Sequence, residues 1–295
     1  MILRRRRASQ FQRAAEGSMT LIEHIRELRT RLFRACLGIL VGSIAGWFFA
    51  KGVLHYLNAP YCDYMKVHYP QQTGCNFNVG GITDPFTLQL KVSLYIGLLV
   101  SSPVWLYQLW AFIAPGLHRR ERRFTYAFVA VAVPLFVLGV ALANFVVAKS
   151  LQFFLNLSPE YALTANLTSY FDFVTGVMLL FGAAFEFPVI VLMLNFAGVL
   201  SARRLLGWWR MAIFLMFLFA ALVTPTPDPF GMTALALSMS VLYFGSVGVA
   251  FINDRRRARS SPYANLDDDE ISPLDDVAPV DQAEPVEPAT PVEPS

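Results

Sequence analysis

The chain is poor in almost everything that aqueous catalysis uses. Its 295 residues hold three cysteines and four histidines. No G-x-x-x-x-G-K-[ST] phosphate loop occurs, no H-E-x-x-H occurs, and no histidine has a partner at metal-ligand spacing. Nucleotide hydrolysis and zinc chemistry therefore have no footing. Glu23 and His24 are the only neighbours of that sort and read as ordinary helix surface. Without a nucleophile–base or metal constellation, the chain is expected to be neither an enzyme nor a carrier of a metal or cofactor. Charge is scarce as well, at 15% of residues, and lysine nearly absent: Lys51, Lys66, Lys91 and Lys149 are the four.

What is present is apolar. Hydrophobic residues make up 55% of the chain and the mean hydropathy is +0.47, above the range of a soluble domain. The twenty arginines fall before residue 35, at 119–123, at 203–210 and at 255–259, with long apolar stretches between. Arginine-rich loops stay on the cytoplasmic side of a bilayer, so alternate gaps face outward. That pattern predicts a multi-pass protein of the cytoplasmic membrane with both termini inside. The arginines follow topology, and no nucleic-acid partner is expected.

About twenty apolar residues cross a hydrocarbon core of roughly 30 Å. On that basis six transmembrane helices are predicted near 32–50, 86–113, 125–148, 170–197, 209–224 and 233–252. The second is long and the fifth short, a mismatch to be met by tilt, bending or local thinning. Pro103, Pro134 and Pro188 lie inside spans two, three and four, where each removes a backbone donor and favours a kink. Proline is also ordinary in membrane helices, so bending and simple tolerance both stand. The expected fold is an all-α, bent and concave six-helix bundle.

The organisation expected is a basic, disordered segment at 1–19, a membrane domain at 20–255 and a tail at 256–295. Either Met1 or Met19 can be the start. Arg4 to Arg7 precede an apolar run, but one too late and too long for a signal peptide and lacking a cleavage site. Thr20 and Glu23 form a capping box. The stripe Leu21, Ile25, Leu28 and Leu32 suits a helix lying along the cytoplasmic interface before it turns into the membrane, with Glu27 on its wet face. From Ser260 onward there are ten acidic residues, seven prolines and no basic residue, which predicts disorder. Residues 1–259 alone carry a net charge of +13, suited to anionic lipid. The tail is a solvated spacer, a screen for that charge or a binding segment.

Cys36 falls in the first span and reads as packing. Cys62 and Cys75 share the first outer loop, where a disulfide can persist. A bridge between them would stabilise by about 3 kcal/mol in the chain-entropy model. Pairing and free thiols are both compatible with the spacing.

Three acids need an explanation. Glu121 sits in His118-Arg-Arg-Glu121-Arg-Arg, a setting that keeps a carboxylate ionised and able to accept a guanidinium in a two-bond fork. Glu27 offers the same chemistry on the first helix. Each is equally explained by its own neighbours, Glu27 by Arg31 at i,i+4. Glu186 lies well inside the fourth span, where a carboxylate needs a wet cavity, a partner or a proton. A proton relay, a polar floor for a bound peptide and a structural hydrogen bond remain open for it.

Several of these segments resemble the TatC family, the multispanning component of the twin-arginine protein translocase. They are E-L-R-x-R-L before the first span, Ala59-Pro60, the run from Pro103 through Phe112 and Pro115 into Arg-Arg-Glu121-Arg-Arg, Phe-Glu186-Phe-Pro, and Thr-Pro-x-Pro-Asp228. The resemblance covers about residues 20–255, and the 103–123 run is its most specific part. It implies a glove-like six-helix fold that receives signal peptides with consecutive arginines. It also implies passage of folded proteins across the membrane with single-span TatA and TatB partners, driven by the proton-motive force, within a complex holding more than one copy.

By position the resemblance implies that Glu27, Arg29, Arg31, Phe112 and Glu121 contact the signal peptide. Glu186 would be an acid on the concave membrane face, and Pro60 and Asp228 outer-loop positions that shape assembly. Met232 stands where the family often has Gln, and the loop with two cysteines and the acidic tail have no counterpart in the resemblance. The competing reading is a proton-coupled secondary transporter of a small solute with Glu186 as relay. No repeat relates the two halves of the chain, as many transporter folds require.

Overall fold

The computed structural model describes residues 21–68, 77–113, 121–157, 166–224 and 228–259, apart from the side chains of Leu21, Glu23, His68 and residues 121–124. Two compact units are distinguished, residues 1–253 and 254–295; the second is described only through the last turn of its leading helix. Among the described residues the structure is all α-helix, save one isolated bridge between Asn78 and Asn166. The helices are α1 (Leu21–His68), α2 (Asp84–Val100), α3 (Ser102–Ile113), α4 (Glu121–Leu157) and α5 (Leu167–Ala184). They continue with α6 (Phe187–Phe196), α7 (Ala202–Gly207), α8 (Trp209–Val223) and α9 (Pro229–Arg259).

The hydropathic pattern predicts these elements well because lipid leaves a backbone no other way to satisfy its amides. Four segments are long and apolar enough to cross a membrane: His24–Val67, Thr125–Leu157, Leu167–Phe196 and Pro229–Arg259. The pair α2 and α3 meets the same test as one span bent by 60°. Helix α8 has 15 residues, a rise of roughly 22 Å, short of a full hydrocarbon core.

The predicted kinks divide. The chain breaks at Ser101 before Pro103 and at Glu186 before Pro188. At the first break the Trp105 indole donates to the Leu98 carbonyl at 2.9 Å and clamps the bend. Pro134, by contrast, lies inside the uninterrupted α4.

At the start of the described residues α1 runs unbroken for 48 residues, and Gly38, Gly42 and Gly46 let it lie directly on α2 and α3; one expectation here is corrected. A Cβ on Gly42 would stand 2.8 Å from the Gly97 carbonyl oxygen. Pro60 lies inside this helix, not in a loop. A proline removes the donor for the carbonyl four residues back. One residue on from that carbonyl, Leu57 accepts the Tyr170 hydroxyl at 2.7 Å, and Tyr61 stacks between Phe77 and Tyr170 with centroids 4.7 and 5.9 Å away. Aromatic packing thus holds as helix a stretch whose polar residues read as loop.

The centre of the fold is α5 and α6, where 61% of the most apolar stretch is buried against 6% in α1. Tyr170, Phe171, Val174, Val177, Met178 and Phe181 pack against α4 and α2. A second cluster joins Leu106 and Trp110 of α3 to Phe128, Ala132 and Phe136 of α4 and Val189 and Met193 of α6. Helix α1 is exposed over its first half, packs along α2 and α3, and joins the main core through Ala50, Leu57, Tyr61, Tyr64 and Met65.

Candidate functional site

Between α1 and α3 lies a groove of about 490 Å³ whose walls are almost wholly apolar. Leu28, Leu32 and Ile39 of α1 face Trp105, Leu109 and Phe112 of α3, with Phe136, Leu179 and Ala183 behind. Leu28 and Leu32 of the apolar stripe predicted for an interfacial helix thus line a cleft. Cys36 is also corrected here: it is a free, exposed thiol on the groove wall and not a packed core residue.

Arg31, Cys36, Trp105 and Gln108 are the polar or partly polar residues on the groove wall, and Glu27 is the ion-pair partner of Arg31. Arg31 donates to Oε1 of Glu27 from Nε at 2.8 Å and from its terminal nitrogen at 2.5 Å. Both donors share one oxygen. Oε2 of Glu27 is buried and has no hydrogen-bond partner among the described residues, and the same holds for Oε1 of Gln108, a groove-lining residue. The His24 imidazole stacks on Phe112 with centroids 4.5 Å apart, which fixes that ring. Arg29 is exposed on α1. Glu121 opens α4, but its side chain lies outside the described residues, as do residues 114–120 before it.

Glu186 sits one turn beyond the groove-lining Ala183, in the turn that separates α5 from α6 rather than within a regular helix. It is 7% exposed. The indole of Trp110 is a polar neighbour of the carboxylate, outside hydrogen-bond geometry. Both oxygens of Glu186 and the indole nitrogen are left buried without a bond among the described residues. A buried polar atom without a partner costs about 1–3 kcal/mol, more for a charge. Oxygens of two carboxylates, one amide oxygen and one indole N–H thus lie buried in or near the cleft without a hydrogen bond among the described residues.

Asp228 is the opposite case. It is 3% exposed and accepts the Ser150 hydroxyl and the Gly231 amide, both at 2.5 Å. It thus caps the first turn of α9 and ties it to α4. Gly231 has no substitute here, since a Cβ would lie 2.7 Å from the carboxylate. Cys62 is disulfide-bonded, and Cys75, the partner expected for it, lies outside the described residues.

Sequence reasoning missed His24, Gln108, Trp110 and Ser150. The first two are neutral or weakly basic polar residues in apolar company, and the i,i+4 spacing from Gln108 to Phe112 was the available signal. Ser150 is 78 residues from its acid and carried no signal at all.

A bent, multi-pass helical fold with an apolar groove is that of an integral membrane protein. The chain belongs to the TatC family: the model for "Sec-independent protein translocase protein (TatC)" matches residues 23–237. It is similar to the TatC of Frankia casuarinae, 43% identical over 88% of this chain and 74% of that one, and to the TatC of Xylanimonas cellulosilytica, 40% identical over 82% and 87%. Its fold matches a crystal structure of the "Twin Arginine Translocase Receptor" TatC with a TM-score of 0.64, at 31% identity over 79% of this chain and 100% of that one. It is accordingly a component of the Sec-independent, twin-arginine translocase.

Proposed function

We propose that the groove receives twin-arginine signal peptides and that the chain is the receptor through which folded precursors enter the translocase. The observation that carries this reading is the Oε2 of Glu27, without a partner among the described residues, on a carboxylate whose ion-pair partner Arg31 lines the groove with Leu28, Leu32 and Phe112. A guanidinium has five donors and no acceptor, the complement of such a carboxylate. The adjoining apolar walls suit the hydrophobic segment that follows the arginine pair.

In this reading one arginine of the signal displaces or joins Arg31 on Glu27, and the second binds Glu121. Arg29 and Arg31 repel unproductive cations and position the acids, and Phe112, braced by His24, packs against the peptide. The apolar segment then follows the groove toward Glu186. The arginine clusters put both termini in the cytoplasm of a cell with α8 as a short fifth of six spans. TatA and TatB type single-span subunits, additional copies of this chain and the proton-motive force complete the machine.

Site-specific photocrosslinking from positions 27 and 121 to a precursor with Arg-Arg in its signal tests the assignment. Removing one charged partner costs about 1.5–3 kcal/mol, so Glu27→Ala and Glu121→Ala should each lower capture roughly tenfold or more, and a Lys-Lys signal should lose the fork geometry. Unchanged capture by both variants would refute the site. The unpaired Glu186 also favours a second reading, a proton relay for a small solute. Solute flux by the protein alone in proteoliposomes, without signal-peptide binding, would select it.

A further inference from the structure

A second groove, which shares only Ala183 with the lining of the one above, lies on the α8 side of the core. It encloses about 560 Å³ between α5, α6, α7, α8 and α9. Its lining is aliphatic, methionine and aromatic, typified by Leu194, Leu205, Met211, Leu215, Phe219 and Met239. The one hydroxyl on its wall, that of Tyr243, is already spent on the Leu205 carbonyl at 2.6 Å. A partner helix in a membrane is recognised through small residues in close approach and through side-chain hydrogen bonds; this wall has three alanines, Ala183, Ala184 and Ala212, but no free hydroxyl or amide side chain.

The end of the groove is different in kind. Leu200, Leu205 and Trp208 form it, and Arg203, Arg204 and Arg210 are set among them. All three arginines are exposed, and none pairs with a carboxylate among the described residues. Arg204 lies one helical turn before Trp208, and Arg210 sits over the ring of Trp209 at 5.3 Å. Tryptophans and arginines at one end of an apolar slot mark the headgroup level of a bilayer. The adjoining α8 is too short to cover the hydrocarbon alone, so a lipid there fills space that protein does not.

We infer that this groove is a binding site for one anionic phospholipid, its acyl chains along Met211, Leu215 and Phe219 and its phosphate among Arg203, Arg204 and Arg210. Arginine recognises phosphate by a planar, multi-bond fork, and cations beside a bilayer select acidic lipid. The site is independent of the signal-peptide reading and shares no polar residue with it.

The test is native mass spectrometry of the full chain in mild detergent, titrated with phosphatidylglycerol or phosphatidylcholine of identical acyl chains. Phosphatidylglycerol should bind about tenfold more tightly, a preference that falls as KCl is raised from about 0.05 to about 0.5 M. The R203Q/R204Q/R210Q variant should bring the preference to about twofold or less, and Ala212→Trp, which fills the slot, should weaken both lipids about fivefold. The salt titration uses the unaltered chain and so decides even if the triple variant does not fold. Equal affinity for the two lipids, a preference indifferent to salt, or full competition by glycerophosphate alone would overturn the proposal. So would a photocrosslinker at Leu215 that captures a protein helix instead of lipid in phosphatidylglycerol vesicles.

Discussion

Asp228 and Glu186 are both carboxylates, both nearly sealed from solvent, and their surroundings treat them in opposite ways. Asp228 takes a hydroxyl from α4 and an amide from the first turn of α9. Glu186 stands in a helix break with both oxygens unbonded. Burial alone does not distinguish a structural acid from a working one; the count of donors does. Where the fold supplies donors, the acid fastens helices. Where it supplies none, as at Glu186, the acid is left with unused acceptors, which under the proposed function serve the incoming peptide, and Glu27, half-satisfied by Arg31, is intermediate.

The contrast makes quantitative demands. The largest effect is expected at Asp228→Ala, which strands the Ser150 hydroxyl and the Gly231 amide and should cost about 3 kcal/mol, read as a fall in the thermal midpoint of the purified protein. Glu186→Gln should change stability by no more than about 1 kcal/mol, because no bond is lost and the cost of burying an acid is relieved, yet it should impair export of a twin-arginine precursor from cells. If Glu186→Gln destabilises as much as Asp228→Ala, the distinction drawn here fails. The smallest effect belongs to Lys91→Met. Its 2.7 Å pair with Asp172 joins α2 to α5, but both side chains are about half exposed, so the loss should stay within about 1 kcal/mol and shrink further in high salt.

Much of the fold was legible in the sequence because hydropathy and arginine placement are direct readouts of the solvent each segment meets. The breaks at 101 and 186 were legible through Pro103 and Pro188. Pro134 gave the same signal without the same result. The full length of α1 was not legible: Lys51, Asn58, Pro60 and Asp63 read as loop, and only Tyr61, Phe77 and Tyr170 packing from distant parts of the chain explains why helix persists there. For the site, Glu27 with Arg31 was visible as an i,i+4 pair, down to the possibility that the arginine would occupy the acid. That a single oxygen would be occupied, and that Gln108 and Trp110 would join it as unsatisfied groups, depends on how the side chains of α1 and α3 pack and had no local trace.

The 60° bend between α2 and α3 has a further effect on height. Helix α3, with 12 residues, is roughly 18 Å long. Tilted by that angle it climbs only about 9 Å along the direction of α2 and travels about 16 Å sideways. A straight rod of the same sequence would overshoot the bilayer. Folded over, the surplus becomes a ledge of aromatic residues reaching from the core to α1, and the cleft beneath it exists because that length was turned aside.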